Sequence, residues 1–358
     1  MTDTPYLRVD VERLDRNVAA VAGRARELGL AVRPHAKTHK CAEIARRQLR
    51  AGAVGLTVAT IGEAEAFADA LVPTVPDLFI AYPLWLTDHK AARLRALANR
   101  ARIRLAVDSV VGARQMADLL GGDVGEIEVL IEIDSGQRRT GIAPDEAGEL
   151  ARHADNAGLQ VIGVFTFPGH GYGPGNARRD AADDEVRALT RAAERLQDNG
   201  IDPAVRSGGS TPTIGFASSG VLTEIRPGVY PFNDAQQLEL GSCTADDIAL
   251  TAIATVVHRS GTRIVTDAGS KILGADRPAW TSGFGRLRHA LDARVTSLSE
   301  HHAVIEFPTG SPADAIPDVG STVAMVPNHV CTAVNLVDEL VVSDGSVRWP
   351  VVARGANS

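Results

Sequence analysis

Cysteine is scarce in this chain of 358 residues, which contains three: Cys41, Cys243 and Cys331. They are odd in number and far apart, so the sequence excludes a disulfide scaffold and is typical of a reducing compartment. The first ten residues, MTDTPYLRVD, lack the cationic and apolar regions of a secretory signal. We therefore expect a cytoplasmic protein.

Long apolar runs and an excess of positive charge are also missing. No stretch of eighteen or more apolar residues occurs, which argues against a membrane-spanning helix. The formal net charge is −7 and the pI about 5.8, so we expect no general attraction to nucleic acid or to an anionic membrane. The basic segment VRPHAKTHKC, residues 32–41, therefore needs a local explanation.

What the sequence does contain is a regular alternation of apolar runs and amphipathic stretches. The runs are LAVRPH, VGLTVA, LFIAY, IRLAVD, EVLIEID, VIGVFTF, AVRSGG and TEIRPGVY. The stretches between them predict helices over residues 41–50, 62–70, 88–100, 111–120, 144–157 and 177–197, with a short seventh over 213–220. Eight parallel βαβ units of this kind predict an α/β fold with a closed (β/α)8 TIM-type barrel; an open doubly wound sheet is the alternative.

The pattern changes after about residue 245. Strand-like segments from IALTAIATVVH to VRWPVVA follow one another without long helical stretches, which predicts a C-terminal mostly-β domain. We expect residues 1–20 to form a strand and the start of a helix that pack with this domain. Residues 21–240 would form the barrel, and residues 241–358 the β domain.

The basic segment lies where the first barrel strand ends, at the rim where barrel enzymes carry their chemistry. His35, Lys37 and His39 would project on one face if the strand continues through them. A partly buried lysine among other cations has a lowered pKa and becomes a nucleophile toward carbonyl groups. The alternative is a solvated basic loop, which we prefer for Lys40.

The segment SGGSTPT, residues 207–213, follows the seventh predicted strand. Its glycines allow close backbone approach, and Ser207, Ser210 and Thr211 could donate to phosphate oxygens. A plain turn is the alternative. A nucleophilic Lys37 and an anion cradle on one barrel are what pyridoxal 5′-phosphate requires, because the lysine holds its aldehyde and the cradle its phosphate.

A second constellation is PNHVC, residues 327–331. On a strand, the spacing of His329 and Cys331 places both side chains on one face, where imidazole and thiolate could share a metal ion. Two protein ligands leave positions for water or substrate, which suits catalysis better than structure. The alternative is a thiol that belongs to the core.

Ten motifs together resemble the D-threonine aldolase and D-serine dehydratase family. In chain order they are RPHAKTHK, TVATIGEAEAFADA, DLFIAYPLW, EIDSGQRRTGI, GHGYG, SGGSTPT, EIRPGVYPFND, DAGSKILGAD, SEHHA and PNHVC. The resemblance extends from Thr4 to about Val351. It implies a fold-type III pyridoxal-phosphate enzyme with an alanine-racemase-like barrel, which acts as a homodimer on a D-amino acid.

The resemblance also implies roles for individual residues. Lys37 matches the lysine that forms the Schiff base, and His170 lies in a segment that lines the pocket beside the cofactor ring. The residues implied to bind the cofactor are Lys37, Arg139, Tyr172, Ser210, Thr211, Gly228 and Tyr230. His329 and Cys331 match the divalent-metal pair of the family, for which zinc or manganese is expected.

The implied reaction is the elimination of water from a β-hydroxy D-amino acid, giving a keto acid and ammonia. D-Serine, D-threonine and 3-hydroxyaspartate are the implied substrates, and Lys37 would remove the α-proton. In this family His-x-Cys is typical of the dehydratases and His-x-Asp of the aldolases, so Cys331 favours dehydration; a thiolate also favours zinc. The alternative is aldol cleavage to glycine and an aldehyde, with His170 as the base.

Two other classes of protein remain as alternatives. The first is a non-catalytic pyridoxal-phosphate-binding protein, which would need the barrel alone, so the β domain with PNHVC argues against it. The second is a barrel hydrolase that uses His35, His39, Asp134 and a metal ion, for which the sequence lacks a longer ligand cluster. Alanine racemases carry a tyrosine in a GYxDG segment, and the comparable segment here, TDAGSKILGAD, has Lys271 and no tyrosine. The resemblance therefore disfavours racemisation.

Overall fold

Two sequence patterns, one of alternating strands and helices and one of strands alone, fold into two units. The structure is a computed structural model that describes residues 3–121, 127–342, 345 and 347–358. The barrel unit consists of the described residues of Val21–Lys37, Ala45–Gly228 and Ala356–Ser358. The β unit consists of the described residues of Met1–Ala20, Thr38–Ile44 and Val229–Gly355. Each unit is thus assembled from segments that are separate in the sequence.

The strands and helices are numbered here in chain order. The strands are β1 (Tyr6–Val9), β2 (Ala31–Val32), β3 (Leu56–Val58), β4 (Asp77–Pro83), β5 (Arg102–Val107), β6 (Ile127–Glu132), β7 (Gln160–Phe165), β8 (Val205–Gly208), β9 (Glu224–Ile225), β10 (Leu250–Ser260), β11 (Arg263–Thr266), β12 (Gly285–Leu287), β13 (Ala290–Leu298), β14 (Ala303–Glu306), β15 (Thr322–Pro327), β16 (Glu339–Val342) and β17 (Arg348–Pro350). The α-helices are α1 (Val11–Glu27), α2 (Ala42–Arg50), α3 (Ile61–Ala70), α4 (Asp88–Ala98), α5 (Val110–Leu120), α6 (Ala147–Asn156), α7 (Ala177–Asp198), α8 (Ala235–Leu240), α9 (Ser270–Leu273) and α10 (Val330–Val334). Short 3₁₀ helices lie at Ala36–Thr38, Pro144–Glu146, Gly169–Gly171, Ile214–Phe216, Ala245–Asp247 and Ala313–Ala315.

Strands β2–β9 form the sheet of the barrel unit. They are parallel and lie in the order β2-β9-β8-β7-β6-β5-β4-β3. The two end strands are joined by a parallel bridge between His35 and Thr57, where the Thr57 N–H donates to Pro34 O at 2.8 Å. The predicted (β/α)8 TIM-type barrel is confirmed.

Helices α2–α7 lie at the amphipathic stretches that the sequence pattern indicates. Polar N-caps start several of them: the Thr60 side chain accepts from the N–H of Glu63, and Ser109 accepts from Gly112. The seventh stretch, 213–220, forms only the 3₁₀ helix Ile214–Phe216. A segment this short, with glycine and serines in it, has too little helix propensity to propagate.

The barrel interior near the amino ends of the strands is lined by charged side chains. Arg33 is buried and donates from Nε to Glu224 Oε2 at 2.8 Å and from Nη1 to Asp77 Oδ1 at 2.5 Å. Arg104 donates to Glu128 Oε2 at 2.7 Å on the neighbouring strand. Asp77 and Glu224 are the first residues of β4 and β9, so this ionic layer lies toward the amino ends of the strands.

An apolar layer lies above the ionic one. It consists of Phe79, Ala106, Leu130 and Phe165. Their side chains face the barrel interior, and those of the adjacent residues on each strand face the surrounding helices. The Phe79 and Phe165 rings meet edge to face with centroids 4.9 Å apart. This layer separates the ionic layer from the carboxyl ends of the strands, where the candidate site lies.

The β unit contains a nine-stranded sheet in the order β11-β14-β13-β12-β15-β10-β1-β16-β17. Its pairings are antiparallel apart from that of β1 with β16, and β1 also pairs with β10. The predicted C-terminal mostly-β domain is confirmed. Over the part of the chain that the structure describes, no helix combines the length and apolar character that crossing a bilayer requires.

Candidate active site

A cavity of about 410 Å³ opens in the barrel unit at the carboxyl ends of the strands. Its polar lining is mostly cationic or hydroxyl-bearing, and no carboxylate is among the described residues that line it. The charged and aromatic side chains of the lining are His35, Lys37, Tyr82, Arg139, Phe167 and Arg226. The cavity is therefore suited to an anionic molecule with an apolar body.

Lys37 enters the cavity from a 3₁₀ turn and not from a strand. Strand β2 ends at Val32, and Ala36–Thr38 forms the 3₁₀ helix, so the expected alternation of His35, Lys37 and His39 on one strand face is wrong. His39 is buried, and its Nδ1 accepts from the N–H of Cys41 at 3.1 Å. The Lys37 Nζ lies 5.6 Å from the centroid of the Phe167 ring.

Arg139 also lies near the Phe167 ring, with its Cζ 5.5 Å from the ring centroid. The loop after β6 presents it. Asp134 Oδ1 accepts from the N–H groups of Gly136 and Arg138 at 2.9 and 3.0 Å, and Arg138 has a φ of 55°. An Asx turn of this kind fixes the loop before Arg139 is reached.

Arg226 was not singled out by the sequence analysis, although RPGVY was noted. Its Nη1 donates to Ser207 Oγ and its Nη2 to Thr166 O, both at 2.5 Å, and Ser207 in turn donates to Glu224 Oε1 at 2.7 Å. Burial lowers the pKa of Arg226 to about 10, against the opposing charges of nearby glutamates. Its position just after β9 could have indicated a functional role for Arg226, because functional groups collect where barrel strands end.

Two N–H groups of the glycine-rich segment that follows β8 donate hydrogen bonds to other side chains of the protein. Gly209, with φ +76°, donates to Glu185 Oε1 at 2.6 Å, and Ser210 donates to Thr213 Oγ1 at 3.0 Å. Ser210 and Thr211 are buried. A Cβ at Gly208 would collide with Glu185 Oε1, so the loop is packed directly on α7. Phosphate binding by this segment stays a prediction.

The other implied cofactor residues lie outside the set that lines the cavity. Gly228 belongs to the barrel unit and Tyr230, which is buried, to the β unit. The Tyr172 ring packs beside Phe167 with a centroid distance of 6.2 Å. Their contacts with a cofactor therefore remain predictions.

His170 lies in the 3₁₀ helix Gly169–Gly171 next to the arginine loop. Its Nε2 is 3.2 Å from Asp184 Oδ2, and its Nδ1 is buried with no hydrogen-bond partner among the described residues. A Cβ at Gly136 would lie 2.9 Å from the His170 ring, so the imidazole packs against that loop. A histidine oriented by a carboxylate is the arrangement that general bases use.

Glu185 gives a prediction about stability. Burial raises the pKa of its carboxyl from 4.5 to about 7, although the Gly209 N–H and Arg226 oppose the shift. The folded state therefore holds this proton more tightly, and the stabilisation is present below pH 4.5 and lost as the pH rises through 7. The free energy of unfolding of the wild type should therefore fall by about 3 kcal/mol between pH 4.5 and 7. We expect Glu185→Gln not to show this fall.

The measurement is urea unfolding of both proteins at several pH values. Glu194→Gln, which changes an exposed carboxylate on the same helix, is the matched control. If the wild type and Glu185→Gln show parallel pH dependence, the assignment of a buried, proton-binding Glu185 fails.

The metal pair lies in the β unit at a strand-to-helix turn. Strand β15 ends at Pro327 and His329 is the N-cap of α10, so the expected placement of His329 and Cys331 on a strand face is wrong. The Cys331 thiol donates to Thr38 Oγ1 at 3.2 Å, and His329 Nδ1 is hydrogen-bonded to Asp276 Oδ2. Asp276 is the last residue of the motif DAGSKILGAD, and nothing in the sequence indicated this contact.

Asp234 holds this turn in place. Its Oδ1 accepts from the N–H of Gln237 at 2.9 Å and its Oδ2 from the N–H of Val330 at 3.1 Å. One buried carboxylate thus caps α8 and also the first turn of α10. The buried Asp234 carboxylate therefore holds the main chain that carries His329 and Cys331.

The electrostatics of the turn favour a cation. Burial disfavours a charged imidazole, yet the charge of Cys331 and the contact with Asp276 raise the pKa of His329 to about 11. Within the described ranges, no group of three or more His, Cys, Asp or Glu side chains could hold a metal ion. A metal at His329 and Cys331 would therefore complete its coordination with water or substrate.

Comparison with known proteins agrees with this geometry. The family described as "Alanine racemase, N-terminal domain" matches residues 9–235, and "Putative serine dehydratase domain" matches residues 249–343. The chain is 33% identical to D-threo-3-hydroxyaspartate dehydratase of Delftia sp. (strain HT23), over 97% of this chain and 96% of that protein. It is 33% identical to D-threonine aldolase of Arthrobacter sp, over 99% of this chain and 93% of that protein.

Solved structures lead to the same family. The structure of D-threo-3-hydroxyaspartate dehydratase from Delftia sp. HT23 superposes with a TM-score of 0.87 at 31% identity, covering 98% of this chain and 97% of that chain. The resemblance inferred from the ten motifs is confirmed. The chain therefore belongs to the alanine-racemase-like family of fold-type III pyridoxal-phosphate enzymes, in the branch that carries a serine-dehydratase-type C-terminal domain.

Proposed function

We propose that the chain is a pyridoxal-phosphate- and metal-dependent lyase that eliminates water from a β-hydroxy D-amino acid, giving a keto acid and ammonia. The observation that carries the proposal is a lysine in a cationic cavity at the carboxyl end of a barrel of this family. D-Threo-3-hydroxyaspartate dehydratase and D-serine dehydratase are relatives over more than nine tenths of the chain, which supports dehydration.

The residues present fit the cofactor. Lys37 supplies the amine, Phe167 offers an apolar face beside it, and Arg139 and Arg226 supply positive charge to balance a phosphorylated aldehyde. Arg226 has no direct carboxylate partner among the described residues, since Ser207 stands between it and Glu224. Bound pyridoxal phosphate supplies an electron sink for the charge that develops at Cα.

The chain's own residues then have distinct tasks. The Lys37 amine would hold the cofactor aldehyde, and the same amine, when free, would act as the general base for the proton on Cα. Arg139 and Arg226 hold positive charge on the cavity wall. The aromatic face of Phe167 lies 5.6 Å below the lysine nitrogen and limits where that amine can move.

We further propose that His329 and Cys331 hold a divalent metal ion, zinc or manganese, that polarises the β-hydroxyl as a Lewis acid. Asp276 on Nδ1 of His329 is the carboxylate–imidazole arrangement that orients metal-binding histidines, because it leaves Nε2 for the ion. A cysteine-to-alanine mutant of D-threo-3-hydroxyaspartate dehydratase has been solved in a metal-free form, which supports a thiolate ligand in this family.

Aldol cleavage to glycine and an aldehyde is the second candidate. D-Threonine aldolase of Arthrobacter sp is also a relative over nearly the whole chain. His170, oriented by Asp184, would remove the β-hydroxyl proton in that reaction. Cys331 favours the dehydratase.

We also propose a homodimer, which light scattering of the purified protein would test.

The two reactions differ in product, so one substrate panel separates them. We expect purified protein with zinc or manganese to release keto acid and ammonia from D-serine, D-threonine or D-threo-3-hydroxyaspartate. The L-enantiomers are the control and should give less than about one hundredth of that rate, since binding differences of about 3 kcal/mol suffice. Glycine in place of keto acid would replace the dehydratase by the aldolase. No product from any D-amino acid would contradict both.

A further inference from the structure

A second cavity, of about 360 Å³, lies within the β unit at the point where β1 leads into α1. Strands β1 and β10, the first turn of α1 and the residue after β12 contribute to its wall. The charged and hydroxyl-bearing residues of the wall are Arg8, Asp10, Arg13, Thr251 and Arg288. Three arginines and one carboxylate thus surround a single space, which gives this wall an excess of positive charge.

The strand register places two of these side chains next to each other. Arg8 lies directly opposite Thr251 in the antiparallel pairing of β1 with β10, so both side chains project from the same face of the sheet. Leu7 and Val9, which alternate with Arg8 along β1, are buried on the other face. The Arg8 guanidinium and the Thr251 hydroxyl therefore belong to one side of the cavity.

The protein leaves the polar groups of both side chains without partners. The Arg8 guanidinium forms no ion pair or hydrogen bond with any residue that the structure describes. Thr251 is only 7% exposed, and its hydroxyl likewise makes no hydrogen bond within the described ranges. A hydroxyl buried to this degree carries a desolvation cost unless a bound group supplies its partner. The cavity therefore presents donors that a ligand can use.

The other two arginines are held at the cavity by an exposed carboxylate. Arg13 Nη1 and Arg288 Nη2 lie 3.2 and 3.6 Å from the same atom, Asp246 Oδ1. The Asp246 side chain is 87% exposed, so solvent screens both ion pairs and they contribute little to stability. Asp10 accepts from Nε and from the N–H of Arg13, at 3.0 and 3.1 Å. The two carboxylates leave one of the three positive charges unbalanced.

We propose that this cavity is an anion site that binds a phosphate group, either as inorganic phosphate or as part of a small phosphorylated molecule. The planar N–H fork of Arg8 matches the spacing of phosphate oxygens, and the Thr251 hydroxyl adds a neutral donor beside it. A dianion carries more charge than the Asp246 carboxylate and therefore replaces it between Arg13 and Arg288. A carboxylate ligand, with a single charge, would have no such advantage.

The inference goes beyond the proposed function and does not depend on it. Every residue of the anion site belongs to the β unit, and none of them is among the residues that line the barrel cavity. The volume of about 360 Å³ is in the range of cavities that hold small organic ligands, so a phosphorylated molecule larger than the inorganic ion also has room.

The test is phosphate binding by the protein saturated with pyridoxal phosphate, so that the cofactor site does not take up the probe. Equilibrium dialysis with radiolabelled inorganic phosphate and calorimetry with glycerol 3-phosphate measure the two forms of the ligand. We expect saturable binding of one phosphate group per chain. Tighter binding of the inorganic ion assigns the site to free phosphate, and tighter binding of glycerol 3-phosphate assigns it to a phosphorylated molecule.

Two variants test the two unpartnered groups. We expect Arg8→Gln to weaken phosphate binding about tenfold or more, because a charge-assisted contact is lost. Thr251→Val keeps a β-branched side chain on the strand and removes only the hydroxyl, so we expect a loss of about three- to tenfold. The urea midpoint of ligand-free Thr251→Val should not fall below that of the wild type, since this hydroxyl has no partner among the described residues.

Arg263→Gln is the matched control. Arg263 is an exposed arginine at the start of β11 in the same sheet, outside the cavity, and should bind phosphate within about twofold of wild type. Wild-type protein without saturable binding below about 10 mM overturns the proposal. Binding that Arg8→Gln and Thr251→Val leave unchanged also overturns it, because the phosphate then lies elsewhere. If Arg8→Gln does not fold, Arg8→Lys, which keeps the charge and loses the fork, should still bind more weakly.

Discussion

Lys37→Ala is expected to lower turnover by about a thousandfold or more and to remove the absorption band of the lysine-bound cofactor. The same amine is proposed to hold the aldehyde and to move the α-proton, so its loss removes two functions at once. The variant should still fold, because the side chain extends into a cavity and is held on a 3₁₀ turn by its backbone. The measurements are steady-state rate and the visible spectrum.

Lys90→Ala is the control for this experiment, since Lys90 lies on α4 and its amine donates to Trp85 O at the surface. Borohydride reduction of the wild type should attach the cofactor to the peptide that contains residue 37. Added methylamine should restore part of the Lys37→Ala rate if the lysine acts as a base. A Lys37→Ala protein that keeps both the band and the rate would disprove the assignment.

Cys331→Ala is expected to weaken metal binding by more than about a hundredfold and to lower the rate to that of chelator-treated wild type. The physical reason is that the Cys331 thiolate is one of the two proposed protein ligands, so its removal would leave His329, hydrogen-bonded to Asp276, as the one proposed ligand. The measurements are the metal content of the purified protein and the rate before and after chelation.

Cys243→Ala is the matched control for Cys331→Ala. It changes another thiol of the β unit, which packs against Ala235, Ile248 and Val326 and whose pKa is raised by burial. We expect its metal content to equal that of the wild type. If Cys331→Ala remains as sensitive to chelator as the wild type, Cys331 is not a ligand.

The parts of the site that sequence reasoning could predict are those that lie within a few residues of a strand end. Lys37 is the clearest case: an apolar run followed by a basic segment at the start of a βαβ series points to the barrel rim. Arg139 was implied by the family resemblance, through the motif EIDSGQRRTGI that follows β6. The barrel itself follows from the period of apolar runs, because each buried parallel strand needs its own apolar segment.

What the sequence could not predict depends on partners far along the chain. Arg226 is an ordinary charged residue in the sequence, and only the folded barrel brings its guanidinium to Ser207 and Thr166 beside the cavity. The glycine-rich segment was interpreted as a row of free donors, but Glu185, on the preceding helix, takes one of them. His329 and Cys331 lie at the start of α10 and not on a strand face. Asp234, almost a hundred residues earlier in the chain, accepts from the N–H of Val330 and so caps this helix.

The pairing of β1 has a consequence for how the chain is synthesised. Its residue Tyr6 lies opposite Ile253 on one side, and Arg8 lies opposite Val341 on the other. At about 5–20 residues per second, the ribosome takes roughly ten seconds to a minute to reach these partners. During that interval β1 is an unpaired edge on a nascent chain, and such edges recruit other chains or chaperones. Slow translation of this protein should therefore increase its dependence on chaperones that bind extended segments.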